Sequence, residues 1–186
     1  MKKHLIPRIA LFAAILLCLV SLVSCGDNAE IPNGYKEISD EGVTYHFYVP
    51  QSWTADISTG MTSAYYSTSD PSSISVTAFE LTNEILSAEA PVLAYWESQQ
   101  ADFKAVFPDM EIVSSEERTL DDVAAMQYVF TGSQGGITYR FLQVIAMRNA
   151  QIYIITYTAT TTNYDAHTDE VSSMIDAFKF KNDGLF

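Results

Sequence analysis

The chain has 186 residues, 48% of them hydrophobic, with 10 Lys and Arg against 23 Asp and Glu and a formal charge of −13. That length supports one ordinary hydrophobic core without covalent staples, and one domain is the default count. The acidity disfavours nucleic acid and anionic headgroups as partners, because phosphates are repelled on approach.

The first element reads as a secretory signal. Met1-Lys2-Lys3-His4 and Arg8 form a basic head, and Ile9 to Val23 is apolar or small except for Ser21. These 15 residues fall short of the roughly 20 that a helix needs to cross the hydrocarbon, so removal is expected rather than spanning. Leu22-Val23-Ser24-Cys25 follows at once and resembles the lipobox of bacterial lipoproteins. That resemblance implies a diacylglycerol on the Cys25 sulfur and cleavage that leaves Cys25 first, with an uncleaved anchor as the alternative. Two acyl chains at about 0.8 kcal/mol per buried CH₂ anchor stably without a second signal. The expected location is the extracytoplasmic face of a cell membrane.

Removal of residues 1–24 leaves 162 residues and takes away Lys2, Lys3 and Arg8. Seven Lys and Arg then face 23 Asp and Glu, a net charge of −16 with His neutral. Cys18 leaves with the signal and Cys25 carries lipid. The domain is therefore expected to lack disulfides, zinc–thiolate sites and cysteine nucleophiles. Residues 25–34 form a polar tether with Pro32 and the turn signal Asn33-Gly34, and residues 35–186 form the single domain.

The domain opens with strand signals. Val43 to Val49 alternates, placing Val43, Tyr45, Phe47 and Val49 on one face, and Pro50 ends it. A loop through Trp53 leads to a short candidate strand at 63–67, an Asp70-Pro71 turn, and a longer strand at 73–81. Pro91 suits the first position of a helix. Leu93, Trp96, Phe103 and Phe107, with Val92 and Val106, supply its apolar positions before Pro108 closes it. Four strands are expected next, at 112–120, 124–131, 137–148 and 151–160, with short links at Gly132–Gly136 and Asn149-Ala150. The third and fourth are apolar on both faces, which places them inside a sheet covered on each side. A last helix is expected from an N-cap at Thr162, with Val171, Met174, Ile175 and Phe178 as its core stripe, followed by a short terminal strand. The architecture is thus α+β, with an antiparallel sheet of six to seven strands sandwiched between helices.

Three stretches resemble landmarks of one family. Phe47-Tyr48-Val49-Pro50 with Trp53 resembles its opening apolar-Pro-x-x-Trp corner, Ser73 to Thr77 its strand before the long helix, and Met174 to Phe180 its closing helix-to-strand segment. The chain resembles the PsbP-like group, whose fold is shared by an extrinsic protein of photosystem II and a Ran-binding nuclear-transport protein. The resemblance covers about residues 35–181 and implies an antiparallel sheet between helices in a binding or accessory module. Its landmarks are core and corner residues, so no metal or partner residue is carried over.

Catalytic patterns are sparse. No Gly-x-Ser-x-Gly elbow occurs, and Gly132-Ser133-Gln134-Gly135 falls in an expected turn. Of the two histidines left after cleavage, His46 points opposite the apolar face and reads as solvated or at an edge. Asp165, His167, Asp169 and Glu170 offer four metal-ligand types within six residues. On one helix Asp165 and Asp169 would share a face, but compensation of the helix dipole is the simpler reading. Glu116-Glu117 and Asp121-Asp122 read as solvated turn charges. Among 11 tyrosines, Tyr65 and Tyr66 beside the Trp53 loop form the most site-like aromatic cluster, with core packing as the competing reading. The expected function is a non-catalytic binding or accessory module for a protein or small ligand, needing no cofactor. A hydrolase using surface carboxylates is the alternative.

Overall fold

The computed structural model describes residues 29–182 apart from Ile57 and Thr59, so the signal, the lipobox residues Leu22, Val23 and Ser24, and Cys25 lie outside the described residues. Short strands come first: β1 (Tyr35–Glu37), β2 (Tyr45–His46), β3 (Tyr48–Pro50), β4 (Thr54–Ala55) and β5 (Thr62–Tyr65). The longer β6 (Ser73–Glu80) leads into α1 (Asn83–Leu86) and α2 (Pro91–Val106). Four long strands follow: β7 (Glu111–Leu120), β8 (Val123–Gln134), β9 (Ile137–Arg148) and β10 (Gln151–Thr160). A 3₁₀ turn at Tyr164–Ala166, α3 (Thr168–Asp176) and β11 (Lys179–Phe180) complete the chain.

Seven strands form one antiparallel sheet in the order β4-β5-β6-β10-β9-β8-β7. The strands apolar on both faces, β9 and β10, lie at its centre, as their sequence pattern requires. Val144 and Ala146 join the core on one face, and Phe141 and Ile145 the core on the other. The first core is closed by α3, the 35–53 segment and Phe178. The second is closed by α2, whose Trp96 stacks on Tyr128 with ring centroids 4.1 Å apart.

The Val43–Val49 stretch is not one strand. It breaks at Phe47, so that β2 pairs with β11 and β3 pairs with β1. At the break the Phe47 N–H donates to Ser39 Oγ and its carbonyl accepts the Ile38 N–H, each at 3.0 Å. The alternation survives, because Tyr45, Phe47 and Val49 all enter the same core with Val43 against it.

The contact stripe of α2 also departs from expectation. Tyr95 and Trp96 are buried with Val92, Phe103 and Phe107 packed beside them, whereas Leu93 is 44% and Val106 51% exposed. Val92, Trp96 and Phe103 line up at i, i+4 and i+11. Leu93 is rotated off that line and Val106 sits in the last turn.

The expected N-cap at Thr162 is not used. Tyr164 is buried, and its carbonyl accepts the Tyr157 hydroxyl at 3.0 Å, which pins the chain in the 3₁₀ turn. Helix α3 therefore starts at Thr168, with His167 at the cap position and its carbonyl accepting the Val171 N–H.

The long hairpins turn on two residues with positive φ: Asp121 and Asp122, Gly135 and Gly136, and Asn149 and Ala150. Such turns match the twist of antiparallel strands. Gly132 is not in the turn but inside β8, where a Cβ would stand 2.6 Å from Phe107 Cβ. Asp121 is no solvated turn charge either. Its carboxylate accepts from Lys179 Nζ at 2.6 Å and from the Phe180 N–H at 2.9 Å, tying β11 to the β7–β8 turn.

Candidate functional site

The aromatic cluster expected to be site-like does not form an open surface. Trp53 is completely buried, and its indole N–H donates to Glu170 Oε2 at 3.0 Å. The half-buried Tyr66 lies 4.2 Å from the His167 ring, centroid to centroid, and meets Trp53 edge-on. Tyr65 precedes it on β5, where successive side chains point to opposite faces. Hydrophobic burial of the corner tryptophan outweighs display, so Trp53 packs and does not face a ligand.

Beside Trp53 lies a closely bonded polar cluster. His167, 5% exposed, places Nε2 2.8 Å from Asp70 Oδ2 and Nδ1 3.4 Å from Glu170 Oε2. Asp70 Oδ1 accepts the Ser72 hydroxyl at 2.6 Å and the Ser72 N–H at 3.1 Å. Burial disfavours the Asp70 carboxylate, but bonds from Ser72, His167 and Asn163 outweigh it and hold the carboxyl well below its usual range. The cluster joins the β5–β6 loop, the Trp53 corner and α3. Among the described residues, the two His167 ring nitrogens face the carboxylates of Asp70 and Glu170, not a hydroxyl as a nucleophile would supply.

The other described histidine is likewise internal. His46 is buried, against the expectation of a solvated ring, with Nδ1 2.8 Å from Glu37 Oε1 and its ring stacked on Tyr48. The contact with Glu37, brought in by β1 and not readable from the alternation of Val43 to Val49, accounts for the difference.

Asp165 and Asp169 do not share a helical face. Asp165 sits in the 3₁₀ turn with its side chain 84% exposed and 3.8 Å from Arg140, while Asp169 lies in the first turn of α3. Among the described residues no group of three His, Cys, Asp or Glu side chains is placed to hold a metal ion.

Among the described residues, clefts open on two parts of the surface. The larger, about 1110 Å³, runs between α3 and the β7–β8 end. Its one basic lining residue, Arg118, donates to Gln127 Oε1 and Asp176 Oδ1, each at 2.7 Å, and Gln127 donates in turn to Glu116. These bonds brace the sheet edge against the helix.

The smaller cleft, about 640 Å³, lies between the 38–44 segment and the end of β6. Its size falls within the roughly 300–1,000 Å³ of ordinary ligand pockets. Tyr45 contributes a hydroxyl that donates to Thr62 Oγ1 at 2.9 Å; burial, opposed by that bond, pushes its pKa above the ordinary tyrosine value. Thr44 Oγ1 sits 2.9 Å from Tyr153 Oη and 3.3 Å from Gln151 Oε1. Asp40 and Asp56 supply carboxylates, and no Lys or Arg is among the described lining residues. The described walls offer hydrogen bonds and negative charge. Sequence reasoning missed this cleft because its walls come from segments more than 100 residues apart, as Thr44 and Gln151 illustrate. One signal was present: a five-residue strand candidate at 63–67 beside a nine-residue one at 73–81 leaves part of the longer strand without a neighbour.

The PsbP family model matches residues 33–180, and the chain belongs to the PsbP family. Comparison with curated protein sequences returns no match. Among solved structures, the chain is similar to the cyanobacterial PsbP protein CyanoP from Synechocystis sp. PCC 6803, with a TM-score of 0.57 and 15% identity over 86% of this chain and 98% of that one. It is also similar to the Ran-binding protein Mog1p of Saccharomyces cerevisiae, with a TM-score of 0.58 and 10% identity over 82% of this chain and 98% of that one. A protein of unknown function from Pseudomonas aeruginosa gives a TM-score of 0.52 and 14% identity over 76% of this chain and 94% of that one. At these identities the likeness is one of fold alone. Among the described residues no helix is long and apolar enough to cross a membrane.

Proposed function

We propose that the protein is a lipid-anchored extracytoplasmic binding module without catalytic activity, held by Cys25 and engaging a partner at the cleft beside β6. One observation carries the binding reading. Both described histidines are engaged by carboxylates in the interior, while the cleft exposes hydroxyl, amide and carboxylate groups that can recognise but are not paired for reaction. The anchoring rests on the basic head, short apolar core and Leu22-Val23-Ser24-Cys25 of the sequence.

Mass spectrometry of wild type and Cys25→Ala from the native host tests the anchor. Wild type is expected to begin at Cys25 with added acyl mass and to fractionate with membranes, and the variant to lack both. An intact N-terminus or an unlipidated cleaved chain would overturn it. Crosslinking in those membranes tests the module, with a single dominant partner expected. Turnover in a hydrolase screen that is lost on neutralising a cleft carboxylate would replace binding by catalysis.

A further inference from the structure

The smaller cleft ends at a strand that outruns its neighbour. β5 pairs with β6 only between Ser73 and Val76, whereas β6 continues to Glu80. On its other flank β6 stays paired with β10 as far as Glu80, opposite Gln151. The Val76 carbonyl faces the β5 side, where it accepts the Tyr45 hydroxyl at 3.4 Å. Main-chain groups of a strand change sides with every residue, so Ala78 aims its N–H and C=O the same way. At Ala78 the β5 ladder has stopped, and this exposed residue lines the cleft. One donor and one acceptor of the sheet thus point into a cavity whose charged described walls are Asp40 and Asp56.

We infer that this open end of β6 receives an extended, basic segment of a partner protein, added as a strand that continues the line of β5. The inference rests on the binding-module reading and specifies its occupant. Strand addition takes affinity from main-chain bonds and specificity from pockets for alternate side chains. Ala78 supplies the first. The cleft supplies the second, since every other side chain of an added strand would enter a cavity with two carboxylates and no described basic residue. The opposite sheet edge is a poorer acceptor. β7 is bulged between Ile112 and Ser114 and carries Glu116, Glu117 and Arg118, features that discourage edge pairing.

The test uses the full-length protein purified in detergent and a fluorescent seven-residue peptide of alternating Lys and Val. Saturable binding is expected. A peptide N-methylated along one strand edge keeps its charge but loses main-chain bonding, and should bind at least tenfold more weakly. Asp40→Asn should weaken the parent peptide several-fold, with a reduced dependence on salt, and a Glu–Val peptide should not bind. Ala78→Pro removes the edge N–H without touching the β10 ladder and should weaken binding at least tenfold in a protein of unchanged circular dichroism. Equal affinity for the methylated peptide, or displacement by spermidine at matched concentration, would overturn strand addition in favour of a site for small cations. The native-membrane crosslink separates the two levels: a partner seated away from β6 overturns strand addition alone, leaving the module standing.

Discussion

The indole N–H of Trp53 donates to Glu170 at a sequence separation of 117, at 3.0 Å, and that one bond joins the corner after β3 to the first turn of α3. Glu170 also stands 3.4 Å from His167 Nδ1, so one carboxylate serves two rings. A buried N–H left without its acceptor costs about 1–3 kcal/mol. Glu170→Ala is expected to destabilise the fold by that amount in urea unfolding. Trp53→Phe, which removes the donor as well, should make the Glu170 substitution cheaper by about 1 kcal/mol. Strictly additive effects in this double-mutant cycle would show that the bond is not coupled.

The corner tryptophan shows what a sequence can and cannot disclose. The apolar-Pro-x-x-Trp pattern at Phe47–Trp53 marks the family corner, and the periods of Ile137–Arg148 and Gln151–Thr160 mark the central strands, because both are local. The burial of Trp53 is not local; it follows from Glu170, Tyr66 and His167 arriving from elsewhere. The same holds for His46, whose partner Glu37 comes from a strand of only three residues. The cleft is further from view, being defined by where a ladder ends. Strand lengths hint at that end, but pairing alone fixes it at Val76.

Asp70 makes the acid limb of stability specific. Its folded carboxyl is held below the unfolded value of about 3.9, chiefly by bonds that overcome burial. A depressed carboxyl contributes stability that is fully present above the unfolded value and lost as pH falls through the folded one. Asp70→Asn should therefore cost most at neutral pH, with a constant difference from wild type down to about pH 5. Below about pH 4 the difference should shrink. Urea midpoints at pH 7 and pH 3 check this, and an equal difference at both would remove the charge of Asp70 from the account.

Ala150 occupies a turn position that favours glycine. Its φ of 62° is left-handed, next to Asn149 at 53°, in the hairpin that joins the two central strands. A left-handed residue with a Cβ costs roughly 1–2 kcal/mol, while glycine loses about 0.5–1 kcal/mol more chain entropy on folding. Ala150→Gly should therefore stabilise by up to about 1 kcal/mol, seen as a rise of roughly 2–4 °C in Tm for a domain of this size. A fall in Tm would mean that the Ala150 methyl packs more usefully than the turn conformation costs.

Gly132 answers to sterics instead. It lies within β8, two residues before the strand ends and without a positive φ, so its lack of a side chain must matter through space rather than through backbone freedom. The space is taken by Phe107, whose Cβ and Cγ would stand 2.6 and 2.8 Å from an added methyl. Neither atom can swing away, since Cβ is fixed to the backbone where α2 ends and the ring rests on Phe141 at 5.2 Å. Overpacking of this kind costs about 1–3 kcal/mol. Gly132→Ala should lose that much in thermal or urea unfolding. Removing the ring in Phe107→Ala leaves the Cβ in place, so the double variant should recover only part of the loss. Full recovery would locate the clash in the ring, and no loss in Gly132→Ala would mean that α2 shifts freely over β8.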